Sequence, residues 1–232
     1  MTKQDTAWQQ AVIYQIYSWT FNEDVKRMPQ KGSGSLRGVI EKLPYVKKEL
    51  GADAIWLSPF YTSPMLDSGY DISDYTDVHE DIGSIKDFKE LVKEAHDIGI
   101  KVIVDFVPNH TSDQHEWFQK SRNRDEGYED WYIWHPGKKD EKGETIPPNN
   151  WSSVFSIPNR HARDNGKFSD LEKSDWTPPV SAWQWDEDRE EYYLRSFAKE
   201  QPDLNWSNPH VREAMKEVIR FWLDVGVDGL RI

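Results

Sequence analysis

The stretch Ser63-Pro64-Met65-Leu66-Asp67-Ser68-Gly69-Tyr70-Asp71-Ile72-Ser73-Asp74-Tyr75 sets carboxylates beside tyrosines in a short polar segment. Two chemistries fit it. It is either a solvated acidic loop with one aromatic anchor, or a polyol site in which a carboxylate takes two sugar hydroxyls while a phenol ring stacks on the C–H face of the sugar. A second group, Asp105-Phe106-Val107-Pro108-Asn109-His110, follows an apolar run. A lone histidine in that place reads first as a hydrogen-bonded structural residue. Asp105, His110, Asp113 and His115 match no zinc pattern in spacing or number, so no metal is expected from them. The sequence has no cysteine. That removes disulfides, a thiolate nucleophile and a thiolate metal site, and it suits a reducing cytoplasm.

The elements that would position these residues alternate strand and helix. Val12–Tyr17 is a β-branched and aromatic run that predicts a strand. Ser35 predicts the cap of a helix carrying Leu36, Val39, Ile40, Leu43, Val46 and Leu50 at helical spacing, kinked or restarted at Pro44 and ended by Gly51. Ala54–Leu57 predicts a second strand. Ser84 and Asp87 form a capping box ahead of Phe88, Leu91, Val92 and Ala95, with Gly99 beyond the helix end. Lys101–Val107 is nearly continuous in apolar residues, the pattern of a parallel strand covered on both faces. Asn208 and Pro209 open a last helix with Val211, Met215, Val218, Ile219 and Trp222 on its core face, and a fourth strand begins at Val227.

Between Pro108 and Ser207 periodicity is lost and the chain fills with Pro, Asn, Gly and charge, together with most of its 12 Trp. Loops without structure rarely exceed ~12–15 residues, so this is an inserted lobe, and most of its tryptophans are expected in its core. The organisation expected is residues 1–107 as the first part of a β/α barrel, 108–207 as the lobe, and 208–232 as the barrel resumed and cut at its fourth strand. Four strands leave two open edges, and Val211, Val218 and Trp222 are expected to lack part of their neighbours.

The 41 Asp and Glu against 29 Lys and Arg give a net charge of −12, which argues against a nucleic-acid partner. No apolar run nears the ~20 residues of a membrane span, and Met1–Gln10 lacks the layout of a signal peptide. The expectation is a soluble, cytoplasmic protein without a membrane partner, its oligomeric state open. With 12 Trp, 10 Tyr and 9 Phe, it has the large apolar units that disordered chains lack.

Five motifs in order, Gly51-Ala52-Asp53-Ala54-Ile55-Trp56-Leu57-Ser58-Pro59, Gly69–Tyr75, Asp105-Phe106-Val107-Pro108-Asn109-His110-Thr111-Ser112, Gln201-Pro202-Asp203-Leu204-Asn205-Trp206 and Gly226-Val227-Asp228-Gly229-Leu230-Arg231-Ile232, resemble glycoside hydrolase family 13, and most of all its α-glucosidase and oligo-1,6-glucosidase branch. The resemblance covers almost the whole chain. It implies an α/β fold, the N-terminal half of a (β/α)8 TIM barrel of about four strands with an irregular lobe after the third. It also implies that Asp67 and Tyr70 line a terminal-glucose pocket by hydrogen bonding and stacking, and that Asp105 and Asn109 support it. His110 would bond a sugar hydroxyl, Phe155 would reach the pocket from the lobe, and Arg231 would orient the nucleophile.

Two departures from the family carry consequences. Lys31 and Ser35 stand where many members of this branch place metal-binding aspartates, and an ammonium and a hydroxyl are no substitute for hard anionic ligands, so no cofactor is expected. The family's nucleophilic aspartate falls two positions after the matching arginine, beyond Ile232, and its general acid later still. The implied parent is a retaining α-glucosidase acting at the non-reducing end of short α-glucosides, with its two carboxyls about 5–5.5 Å apart. Residues 1–232 alone are expected to hydrolyse no α-glucoside. The alternatives are a transglucosylase or sucrose isomerase, or an inactive relative serving as a binding or assembly subunit.

Overall fold

The computed structural model describes residues 7–22, 35–156 and 180–232. In chain order the elements are α1 (Ala7–Gln10), β1 (Ile13–Ile16), α2 (Leu36–Lys48), β2 (Ala54–Leu57), β3 (Tyr61–Thr62), β4 (Asp74–Val78), α3 (Ile85–Asp97), β5 (Lys101–Asp105) and α4 (Glu116–Arg122). They continue with β6 (Trp134–His135), β7 (Lys138–Lys139), β8 (Thr145–Ile146), a 3-10 turn at Val154–Ser156, β9 (Trp183–Asp186), β10 (Glu191–Leu194), α5 (Pro209–Val225) and β11 (Gly229–Arg231). Two units result. One joins the residues up to Pro108 to Arg212–Ile232, and the other is Asn109–Val211.

In the first unit β1, β2, β5 and β11 form a parallel sheet in that order. Every residue of β5 after Lys101 is buried, as a strand covered on both faces requires. The helices begin where their caps place them. Ser35 accepts from the Gly38 amide at 2.9 Å, and the Ser84 oxygen accepts from the Asp87 amide at the head of α3. The Asp87 carboxylate then takes the Ser84 hydroxyl and the Arg37 guanidinium, which ties α3 to α2. The helix does not restart at Pro44. α2 runs on through it, because Val39, Leu43 and Val46 are buried on both sides of the one backbone hydrogen bond that proline cannot donate and packing outweighs that loss.

The core face of α5 is also better covered than four strands suggest, since Val211, Val218 and Trp222 are all buried. Trp222 packs edge-on against Phe60 at 5.2 Å and Phe88 at 4.9 Å, and its indole N–H donates to the Tyr75 carbonyl at 2.7 Å. Rings contributed by the segment after β2 fill this space, and that segment is no plain loop: β3 and β4 pair antiparallel and frame residues 63–73 as an arm.

The second unit carries regular structure that the loss of periodicity concealed. β10 lies between β9 and β6 in an antiparallel sheet, and β7 pairs with β8. The β9 and β10 sequences, Trp-Gln-Trp-Asp and Glu-Tyr-Tyr-Leu, are aromatic-rich strands too short to set up a clear alternation. Most tryptophans of this unit are not core residues, contrary to expectation. Trp131 and Trp183 are buried, Trp151 and Trp206 are exposed, and the other described ones are half-buried, while Trp176 lies outside the described residues. Buried and half-buried rings of this unit place their indole N–H on protein partners. Trp131 donates to the Gly127 carbonyl at 2.8 Å, Trp134 to Ser121 Oγ at 2.9 Å and Trp183 to Asn149 Oδ1 at 2.8 Å.

Candidate functional site

Asp105 closes β5 and Arg231 closes β11, and the two are Cα partners in the parallel ladder. Facing residues on neighbouring strands send their side chains to the same face. Arg231 Nη1 accordingly lies 3.2 Å from Asp105 Oδ1, the carboxylate 1% exposed and the guanidinium 50%. The guanidinium also rests over the Trp56 ring of β2, 4.9 Å from its centre. The Tyr70 hydroxyl donates to the other carboxylate oxygen at 3.3 Å. Burial pushes the Asp105 carboxyl above the ordinary aspartate value, and Arg231 pulls it part of the way back. Burial, then the charge of Asp105, raises the Tyr70 phenol, which therefore stays protonated as a donor; the charge of Asp67 acts on it in the same sense.

Asp67 and Tyr70 are held by one turn, in which the Tyr70 amide donates to the Asp67 carbonyl at 2.9 Å. The turn is built around Asp71, whose carboxylate is fully buried. One of its oxygens accepts from Ser63 Oγ at 3.0 Å and from the Asp67 amide at 2.9 Å, and the other from the Leu66 amide at 2.9 Å. Gly69, with φ at +91°, lets the chain reverse there, and a Cβ on it would meet the Pro59 carbonyl at 3.1 Å. Reading the sequence gave Asp71 no role. The available signal was an aspartate in the middle of a turn-forming run, where its oxygens can take backbone amides.

In the second unit Asn109 and His110 are gripped by the Gln201–Trp206 segment. Asn109 Nδ2 donates to Asp203 Oδ1 at 3.0 Å, the Leu204 amide to the Asn109 carbonyl at 2.9 Å, and His110 and Asp203 form a bridge pair. Burial raises the Asp203 carboxyl, against the lowering effect of the Ser196 amide and hydroxyl and of Asn109. His110 is 3% exposed, its ring 5.0 Å from that of Phe197. Phe155, in the 3-10 turn, is 57% exposed and its ring lies 6.4 Å from that of Phe197. Asp203, the residue that fixes Asn109, was also missed. Its signal was its place in a motif already singled out.

The structure thus brings Asp67, Tyr70, Asp105 and Arg231 together within the first unit, and Asn109, His110 and Phe155, the last two each near Phe197, within the second. A turn carboxylate, a phenol and a buried carboxylate paired with a guanidinium can hold a neutral polyhydroxyl ring without any ion. Among the described residues no three His, Asp or Glu gather as a metal site requires. Ser35 is engaged as the cap of α2, and Lys31 lies outside the described residues.

Comparison with known proteins fits this geometry. The family model described as "Alpha amylase, catalytic domain" matches residues 15–232. Maltase 1 of Drosophila virilis is 47% identical over 97% of this chain and 31% of its own length. Oligo-1,6-glucosidase of Parageobacillus thermoglucosidasius is 46% identical over 97% of this chain and 34% of its own. The crystal structure of the alpha-glucosyl transfer enzyme XgtA superposes with a TM-score of 0.79 at 45% identity, over 97% of this chain and 36% of that one. The chain spans about a third of the length of the curated relatives it matches. Its parallel sheet is the N-terminal part of the TIM barrel that such enzymes share. By sequence and by fold alike, the chain belongs to the alpha-amylase catalytic-domain family, glycoside hydrolase family 13.

Proposed function

We propose that these residues form the sugar-orienting part of a retaining α-glucosidase that releases glucose from the non-reducing end of short α-glucosides. The observation that carries the reading is the buried Asp105 carboxylate, held at once by Arg231 and Tyr70 beside a turn that presents Asp67. In it Asp67 and His110 take sugar hydroxyls and Tyr70 stacks on the ring, while Phe155 borders the pocket. Asp105 and Asn109 support these groups, and Arg231 orients the nucleophile. No catalytic carboxylate is assigned within 1–232, so these residues by themselves turn over no α-glucoside. Their task is positioning, which converts binding energy into a favourable approach of the reacting atoms. The substrate is neutral, and the net charge of −12 then serves solubility.

The names of relatives support the substrate class: a maltase and an oligo-1,6-glucosidase. Glucosyl transfer is the second reading, favoured by the 45% identity to an alpha-glucosyl transfer enzyme. The test is Asp67→Ala in the full-length protein. It lowers kcat/KM for p-nitrophenyl α-glucoside by about a hundredfold or more with the melting temperature kept. Unchanged efficiency removes Asp67 from the sugar site. Glucose and glucosylated acceptor, separated by chromatography, distinguish hydrolysis from transfer.

A further inference from the structure

β5 loses its neighbour on one side just where Asp105 begins to matter. The ladder to β2 ends with Leu57 beside Val104, and the residue of that chain whose amide the parallel register would next bring to β5 is Pro59, which has no N–H. On the other side the ladder persists, the Phe106 amide donating to the Arg231 carbonyl at 2.7 Å. In a trans peptide the N–H and C=O point in opposite directions. The Asp105 carbonyl is therefore aimed at the β2 side, where Pro59 has no N–H to offer it. Two residues on, the carbonyl of Val107 lies beyond the end of β5 and of both its ladders.

Two buried tyrosines take the vacated places. The Tyr61 hydroxyl, from β3, donates to the Asp105 carbonyl, and the Tyr75 hydroxyl, from β4, donates to the Val107 carbonyl at 2.8 Å. Both rings are fixed, Tyr61 against Trp222 at 5.5 Å and Tyr75 by the Trp222 indole bonded to its own carbonyl. Burial and the neighbouring Asp105 charge keep the Tyr61 phenol protonated.

We propose that Tyr61 and Tyr75 are positioning residues: their hydroxyls replace the missing strand, fix the peptides from Asp105 to Val107, and so aim the Asp105 carboxylate at Arg231 and Tyr70. The inference rests on the sugar-site reading above, which Asp105→Asn tests separately.

The experiment compares Tyr61→Phe, Tyr75→Phe, Asp105→Asn and Ser84→Ala in the full-length protein, by kcat and KM on p-nitrophenyl α-glucoside and by calorimetric melting. Ser84 caps α3 away from the site, so its variant lowers the melting temperature while leaving kcat/KM unchanged. Each tyrosine variant lowers kcat/KM by about tenfold or more at a temperature where it is fully folded, and that loss disappears in an Asp105→Asn background. Tyrosine variants that melt earlier yet keep kcat/KM within twofold, as Ser84→Ala does, overturn the inference while the sugar site stands. An Asp105→Asn variant with full activity overturns the sugar-site reading itself. If Tyr61→Phe does not fold, Tyr75→Phe decides by the same criterion.

Discussion

Arg231 and Asp105 are joined twice, as Cα partners in the ladder of β11 on β5 and through a 3.2 Å contact between guanidinium and carboxylate. Strand register and charge pairing therefore specify each other. A slip of β11 by one residue would send Arg231 to the opposite face and leave Asp105 buried without its cation.

The pair makes a pH-dependent prediction. Burial raises the Asp105 carboxyl in the folded protein above its ordinary value of 3.8, and Arg231 limits the rise. A carboxyl raised by folding binds its proton more tightly in the native state, so stability falls as pH rises from the unfolded value through the folded one. Arg231→Met enlarges that penalty. It costs about 1–3 kcal/mol near neutral pH, less than a fully buried pair because the arginine is half exposed, and little below the unfolded value. Urea melts at neutral pH and in acid measure the difference, and equal losses at both contradict the coupling.

At the other end of the same strands the sign reverses. Burial works to raise Asp228, but the Val102 amide, His96 at 2.7 Å and Lys101 at 2.9 Å together lower it below the ordinary value. A depressed carboxyl gives stability above its unfolded value and loses it as pH falls through the folded one. Asp228→Asn costs about 1 kcal/mol at neutral pH, and the cost vanishes in acid, where wild type and variant melts converge. A loss that stays constant down the acid limb would contradict this.

Asp71→Asn tests the turn that presents Asp67 and Tyr70. An amide nitrogen put in place of a carboxylate oxygen faces at least one of the Ser63, Leu66 and Asp67 donors with another donor, costing about 1–3 kcal/mol. Because the displaced turn carries both groups proposed to meet the sugar, kcat/KM on α-glucosides is expected to fall about tenfold or more. Calorimetry and steady-state kinetics on one preparation check both effects.

What sequence alone revealed depended on how local the signal was. Ser84 with Asp87, and the apolar run from Val102 to Val104, place α3 and β5 because capping and burial leave their pattern within a few residues. Arg231 carries no such pattern, and the resemblance of its motif drew attention to it, whereas Asp67 stood in a run of carboxylates and tyrosines that also read as a solvated loop. β9 and β10 were lost because each has only four residues, and β10 sets Tyr192 and Tyr193 on opposite faces. Tyr61 and Tyr75 were invisible for a different reason. Their partners are carbonyls orphaned by the end of a strand ladder more than thirty positions away in sequence, a fact of topology that no local spacing records.

The claim at the centre of this account is that Asp67, Tyr70 and His110 serve one glucose ring. A crystal structure of the full-length protein with 1-deoxynojirimycin, a glucose-shaped inhibitor, tests it most directly. The account predicts the Asp67 carboxylate and the His110 imidazole about 2.7–3.2 Å from ring hydroxyls, with the Tyr70 phenol stacked on the ring face and Arg231 still on Asp105. An inhibitor bound elsewhere, or Asp67 and His110 facing different sides of the sheet, contradicts it.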